Sequence, residues 1–301
     1  MLAGLRRVFM VALLGFGLGL PGSPAVAQTA ATVGILKGGA VLVRQSTRYT
    51  LAEGVALADG DIVETAAGTF AQIEFADGTL LGVGESGRLL VRPRLTGPKP
   101  PAARIYLLEG WVKVRLAKPE TRFAILSPLA ELEARTGALV VRIQSKAYAA
   151  FVEAGAAQIV QRDGARATIP LKNGEFAMQT AGADKPTLST RLDPGFLQQM
   201  PPMFREPLPP RAGVYARRPV APQPLGLVSY ADVAAWLRTE GPLRLGLSRQ
   251  WPGRASDRQF RADVAANPSS HIEWERVLYP ERFLPKPPPD PASARPAAST
   301  P

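Results

Sequence analysis

Acidic side chains are the groups in this sequence best placed for chemistry, because several of them fall within one short stretch. A pair of carboxylates can hydrolyse a glycosidic bond, and a cluster of them can bind calcium. The aspartates, however, stand in turns beside glycine, where an aspartate side chain bonds its own backbone. The alternation around Glu74 predicts that its side chain points to solvent. We therefore assign no catalytic and no metal-binding residue to the set Asp59, Asp61, Glu64, Glu74, Asp77 and Glu85.

The other chemistry-bearing motifs are isolated. Gly82-x-Gly84-x-x-Gly87 matches the dinucleotide fingerprint, but the next residues, 88–93, have the pattern of a strand ending in proline rather than of the helix the fingerprint requires. His271 is the only histidine, and we expect it to be exposed or to cap a short helix. Because the chain contains no cysteine, disulfides, thiolate metal sites and a cysteine nucleophile are excluded. We predict no cofactor.

The first 27 residues have the pattern of a cleaved secretory signal. Arg6-Arg7 precede an apolar run, Val8–Leu20, which is short for a membrane span, and Ala25-Val26-Ala27 form a cleavage site. We expect a periplasmic protein that begins at Gln28 and does not span the membrane after processing. The formal charge of +11 permits anionic partners, but like charges form no long block, so we predict no nucleic-acid partner.

The stretch from Leu57 to Ser86 predicts strands separated by tight turns. Ala71, Ile73 and Phe75 alternate with polar residues, which is typical of a half-buried strand. Asp77-Gly78 follows at once and indicates a two-residue type I′ hairpin, because both central residues of that turn need positive φ. In that register Phe75 faces Leu80. The sequence predicts a mainly β fold, a roll or sandwich of short strands.

Composition changes along the chain predict its further organisation. Prolines punctuate the region after the strands, which indicates an extended linker, and a helical period follows it. The first half of this linker contains four large apolar residues, Phe196, Leu197, Met200 and Phe204, so we expect it to pack back on a domain. The linker would hold the helices at a distance from the strands. The expected units are a signal peptide at 1–27, a β domain at 28–190, a Pro-rich linker at 191–224, a small helical module at 225–284 and a disordered Pro-rich tail at 285–301.

Three capping-box patterns predict where helices of this module begin. They are Ser229-x-x-Asp232, Ser256-x-x-Gln259 and Ser270-x-x-Glu273. Gly241-Pro242 is expected to end the first helix. Trp251 lies between two expected helices, so it is the tryptophan that we predict as an exposed contact.

Several motifs, taken in order, resemble the FecR domain. These are Leu57, Gly60-Asp61, Val63, Thr65 and the Ala71–Leu80 hairpin, followed by Leu108–Val114, Phe123–Ala130, Gly137–Val141 and Glu153–Gly155. The resemblance covers roughly residues 33 to 180. The motif and turn residues that it assigns structural roles are Gly60, Asp61, Asp77, Gly78, Thr79 and Gly110.

The resemblance implies a non-enzymatic role. FecR-type regulators sense an outer-membrane receptor in the periplasm and relay the signal to a cytoplasmic sigma factor. Only Met1–Leu5 precede the arginines, so we expect that the cytoplasmic anti-sigma region is lacking and that the binding role alone remains. We predict an interaction module in envelope signalling or assembly whose partner is an envelope protein or peptidoglycan. The alternatives are a glycan-binding or glycan-processing cell-wall factor and a structural spacer.

Overall fold

The structure is a computed structural model that describes residues 29–93, 95, 103–162, 166–207 and 209–284. The predicted signal peptide, the tail after residue 284 and the residues 94, 96–102, 163–165 and 208 lie outside the described residues. Within the described ranges, no helix is both long and apolar enough to cross a membrane.

Short strands dominate the first two thirds of the chain, as the sequence predicts. In chain order they are β1 (Thr29–Lys37), β2 (Ala40–Arg44), β3 (Thr47–Thr50), β4 (Ala56–Ala58), β5 (Ile62–Thr65), β6 (Phe70–Phe75), β7 (Leu80–Val83), β8 (Arg88–Val91), β9 (Ile105–Arg115), β10 (Phe123–Leu126), β11 (Ala130–Gln144), β12 (Ala147–Gln161), β13 (Thr168–Lys172), β14 (Phe176–Gln179), β15 (Thr187–Ser189) and β16 (Gln223–Leu227).

Three long strands fold this hydrogen-bonded network into two layers. β9, β11 and β12 each contain a glycine at positive φ, namely Gly110, Gly137 and Gly155, and change partners near it. The segments after Gly110 in β9, after Gly137 in β11 and before Gly155 in β12 belong to what we call layer A. This layer also contains β4, β1, β6, β7, β14 and β15. The other segments of the three long strands join β16, β3, β2, β5, β8, β10 and β13 in layer B.

The main hydrophobic core lies between the two layers. Ile73, Leu81 and Val112 of layer A pack in one cluster with Leu42 and Val63 of layer B, and all five are fully buried. Apolar side chains at alternate positions of a strand reach the same face. The sandwich predicted from the sequence is therefore confirmed.

The outer face of layer A is also covered, by residues 194–214, which we call the strap. The strap contains α1 (Pro194–Gln199) and 3₁₀ turns at Pro202–Phe204 and Ala212–Val214. Its Phe196, Met200 and Phe204 pack on Phe70 and Trp111 of layer A. Every residue of β6 is consequently buried, so the prediction that this strand is half-buried is wrong.

Helices cover the outer face of layer B. They are α2 (Tyr230–Leu237), α3 (Gly241–Gln250), α4 (Arg258–Ala265) and α5 (Glu275–Leu278). Trp236, Leu247 and Phe260 share one cluster with Ile62 and Tyr106 of the sheet. The helices thus pack directly on the strands, and the expectation that a linker holds them at a distance is wrong.

The helix starts agree only in part with the capping patterns. Ser229 and Asp232 form the predicted capping box of α2. Asp257, not Ser256, caps α4 by accepting a hydrogen bond from the backbone of Phe260. Ser270 caps no helix, since it lies in a 3₁₀ turn, Pro268–Ser270. Gly241-Pro242 begin α3 instead of ending α2, because proline fits the first turn of a helix.

Candidate functional site

The predicted turn at Gly60 and Asp61 is a buried junction. Gly60 has a φ of 88°. Asp61 Oδ2 accepts hydrogen bonds from the backbone N–H of Ala58, at 2.8 Å, and from Arg44 Nη2, at 2.6 Å. The hydrogen bond and charge of Asp61 raise the pKa of Arg44, against the opposing effect of burial. Asp61 thus joins two neighbouring segments of the fold.

The hairpin at Asp77 forms, but in a different register from the predicted one. Leu80 is paired with Glu74, and the backbone of Phe75 bonds that of Thr79, so the loop has three residues. Gly78 takes a φ of 84° and closes it, which is typical of a type I turn followed by a left-handed residue.

The Asp77 side chain stabilises this turn. Its Oδ1 accepts a hydrogen bond from the backbone N–H of Thr79 at 3.0 Å, and its Oδ2 pairs with Arg104. Burial acts to raise the pKa of Asp77, but the bonds from Thr79 and the charge of Arg104 outweigh it, so the pKa lies below its usual value.

Gly110 and the glycines of the dinucleotide-like motif allow neighbouring strands to pack closely. Gly110 has a φ of 104°, and a Cβ there would lie 2.5 Å from the Cα of Gly87. A Cβ on Gly84 would lie 2.9 Å from the Cβ of Trp111. The motif connects β7 to β8, strand to strand, so it lacks the helix that holds a pyrophosphate.

Trp251 is not an exposed contact. Only 1% of its surface is accessible, because it lies at the end of α3 and packs in the cluster between the helices and layer B. His271 is buried rather than exposed, and its Nε2 lies 2.8 Å from the hydroxyl of Tyr230. It does stand at the N-cap position of the 3₁₀ turn Ile272–Trp274, but its side chain makes no capping hydrogen bond there. Burial lowers the pKa of His271. Both residues belong to the packing of the helices.

The clustered carboxylates have structural partners of their own. Asp59 pairs with Arg92. Glu64 accepts a hydrogen bond from Trp236 Nε1 at 2.9 Å. Glu85 accepts one from the backbone of Gly68 at 2.7 Å. Among the described residues, no group of acidic or histidine side chains has the arrangement of a metal site.

Glu74 is the largest departure from the sequence expectation. It is buried, and its carboxylate accepts hydrogen bonds from the backbone N–H groups of Arg211 and Ala212 in the strap. Gln72, on the same face of β6, donates to the carbonyl of Pro209 at 2.5 Å.

Lys113 of β9 is a further buried anchor of the strap, and it donates to the carbonyl of Phe204 at 2.6 Å. Three buried polar side chains of layer A, Gln72, Glu74 and Lys113, therefore hold the strap by its backbone. The sequence gives no local signal for this contact, because polar residues that alternate with apolar ones equally indicate a strand face in solvent.

Residues 215–227, which we call the arm, run from the strap to the edge of layer B. Tyr215 donates its hydroxyl to Glu53 at 2.6 Å, and this bond lowers the pKa of Glu53, with help from the backbone of Leu36. Gly54, with a φ of 84°, leaves room for the ring of Tyr215 and for Val220. Val220 forms a bridge with Val55.

The arm ends in β16, which forms an exposed edge of the sheet. β16 pairs with β3 and ends that path of strands. Each of its five residues is exposed. Leu225 and Leu227 are 56% and 60% accessible. An exposed edge strand with apolar side chains is a typical place for another chain to pair.

Two cations precede this edge. Arg217 and Arg218 are exposed, and neither forms an ion pair within the part of the chain that the structure describes. We take the arm, β16 and these arginines together as the candidate interaction site. The sequence expectation missed it, because the prolines of residues 191–224 led us to predict an extended linker.

Comparison with known proteins places the family of the central region. The family model for the FecR protein matches residues 61–158. No curated protein matches the chain. Two crystal structures of a candidate anti-sigma factor from Parabacteroides distasonis ATCC 8503 are similar at 14% identity, with TM-scores of 0.36 and 0.35. Each match covers 43% of this chain and 59% of that protein. The family match alone identifies a FecR domain at residues 61–158, which run from the start of β5 into β12.

Proposed function

We propose that this protein is a non-enzymatic interaction module of the periplasm, active in envelope signalling or assembly, and that it binds a protein partner through the edge formed by β16. The FecR domain at residues 61–158 supports a signalling-related role. The pattern of residues 1–27 supports export.

The exposed edge of β16 is the observation that carries this proposal. The strap covers layer A, and the helices cover layer B, so the faces of both layers pack against the chain itself. β16 by contrast presents backbone and two exposed leucines to solvent. Protein partners commonly bind such edges by adding a strand.

The region at residues 191–224 has a role of its own in this proposal. Its strap closes layer A, and its arm delivers β16 to the edge of layer B. We therefore propose that this region builds the interaction site, while the helices at residues 228–284 support the sheet beneath it.

Crosslinking in cells, followed by mass spectrometry, tests the proposed function. A tagged chain is expected to co-purify with one dominant envelope protein. Charge reversals at Arg217 and Arg218 should weaken that capture, whereas a structural spacer would tolerate them. Recovery of glycan fragments without a protein partner would overturn the proposal in favour of a cell-wall factor.

An activity assay distinguishes an interaction module from a glycan-processing enzyme. The purified mature chain, incubated with peptidoglycan, should release no soluble fragments. Release that is lost in a folded Asp77→Asn variant would show a catalytic carboxylate instead. In the proposed role this substitution weakens only a turn and its ion pair with Arg104, and we expect it to cost about 1–2 kcal/mol of stability.

A further inference from the structure

The chemistry of the partner can be inferred from the edge of β16, on the condition that the proposed function is correct. The relevant features are the direction of the free backbone groups, the side chains beside them and the nearby charge. Each restricts what can bind there.

The backbone of Leu227 faces away from the sheet. The N–H of Val228 donates to the carbonyl of Ser46 at 2.9 Å, so Val228 faces β3. Backbone groups alternate in direction along an antiparallel pair. Leu227, which is paired in register with Thr47, therefore directs its own N–H and C=O outward.

This free edge is short. Pro224 has no N–H to donate, and the register shifts between Pro224 and Gly226. Only a few backbone bonds can form with an added strand. A partner must therefore gain affinity from the exposed Leu225 and Leu227 side chains and from charge.

The segment of the arm that leads into β16 is positively charged. Arg217 and Arg218 carry no ion pair among the described residues, and the whole chain has a formal charge of +11. An acidic segment would pair with these arginines, whereas a second copy of this chain would bring the same positive charges to the interface.

We propose that β16 is the docking edge for one extended, acidic segment of a protein partner, which adds to layer B as a further strand. Alternate apolar residues of that segment contact Leu225 and Leu227. Its carboxylates contact Arg217 and Arg218.

Fluorescence anisotropy with defined peptides tests this proposal on the full mature chain. The probe is a labelled ten-residue peptide that alternates glutamate with valine. One matched probe replaces each glutamate by lysine, and another carries N-methyl groups on alternate backbone nitrogens. The glutamate peptide should bind about tenfold more tightly than either, since it alone has both the charge and the donors for strand pairing.

Variants of the chain provide the reciprocal test. Arg217→Glu with Arg218→Glu should weaken binding of the glutamate peptide about tenfold, the effect of losing two surface ion pairs. Lys146→Glu with Lys185→Glu makes the same change in net charge on exposed residues outside the arm and should leave binding unchanged. Leu227→Pro, with an unchanged circular dichroism spectrum, should abolish it.

Several results would overturn the inference. These are equal binding of the lysine peptide, equal binding of the N-methylated peptide, and a dimer in sedimentation that Leu227→Pro dissociates. If a partner found by crosslinking is not displaced by the glutamate peptide, the inference fails and the proposed function stands. If crosslinking finds no protein partner, the proposed function fails.

Discussion

Replacing Glu74 with alanine should release the strap. The Glu74 carboxylate accepts hydrogen bonds from two successive backbone N–H groups of the strap, those of Arg211 and Ala212, the latter at 2.9 Å. Glu74 is only 7% accessible. After Glu74→Ala, these two donors lose their carboxylate partner, and water must replace it in the space that the side chain leaves or through movement of the strap.

The expected loss follows from the number of bonds and their charge. A hydrogen bond to an ionised group contributes about 1.5–3 kcal/mol, and an unpaired buried donor costs a similar amount. The strap can lift to let water in, so the two donors need not both stay unpaired. We therefore expect the free energy of unfolding to fall by about 3 kcal/mol, closer to the loss of one charged hydrogen bond than of two. In urea this corresponds to a fall in the unfolding midpoint of about 1–1.5 M.

The assay combines urea unfolding with limited trypsin digestion. Trypsin cleaves after arginine, and the strap contains Arg205 and Arg211. Glu74→Ala should speed cleavage at these sites under native conditions, since the strap is then held less firmly to layer A.

Glu85→Ala is the matched control. Glu85 also accepts a backbone hydrogen bond, from Gly68 at 2.7 Å, but it is exposed. We expect its loss to cost about 0.5 kcal/mol and to leave the strap resistant to trypsin. If Glu74→Ala costs no more than this control, the strap is not anchored as described.

Further predictions concern the bend in β9, the helices and the arm. Gly110→Ala should cost about 3 kcal/mol or more, because positive φ adds to a clash with Gly87; Gly174→Ala, also at positive φ but with open space around it, should cost about 1 kcal/mol. Trp251→Ala should cost about 3–5 kcal/mol in thermal or urea unfolding, and a loss below about 0.5 kcal/mol would show that Trp251 is exposed. The lowered pKa of Glu53 means that its bond to Tyr215 stabilises the fold above the ordinary glutamate pKa and is lost as the pH falls through the folded pKa. Acid should therefore expose the arm to protease, and Glu53→Gln should reduce this pH dependence; an unchanged acid profile in that variant would contradict the assignment.

Local sequence signals predicted the strands and most turns. Alternation in β6 and the glycines after Asp59 and Asp77 are set by short-range geometry, so they are readable from the chain. The register of the Asp77 hairpin was wrong by one residue, because an Asp-Gly pair fits both a two-residue and a three-residue loop.

Long-range packing accounts for the other errors. Glu74 was expected to face solvent because alternation cannot show that a distant strap covers the second face of the strand. Trp251 was expected to be exposed because α3, which ends at this tryptophan, was not predicted. Prolines indicated an extended linker, and no local signal shows that residues 223–227 pair with β3.

Site-specific photo-crosslinking in cells tests the central claim most directly. A photoreactive residue placed at Leu227 should crosslink to one envelope protein, and the same residue at Leu188, an exposed leucine of β15, should not. Equal capture from both positions, or capture from Leu188 alone, would contradict the claim that β16 is the interaction edge.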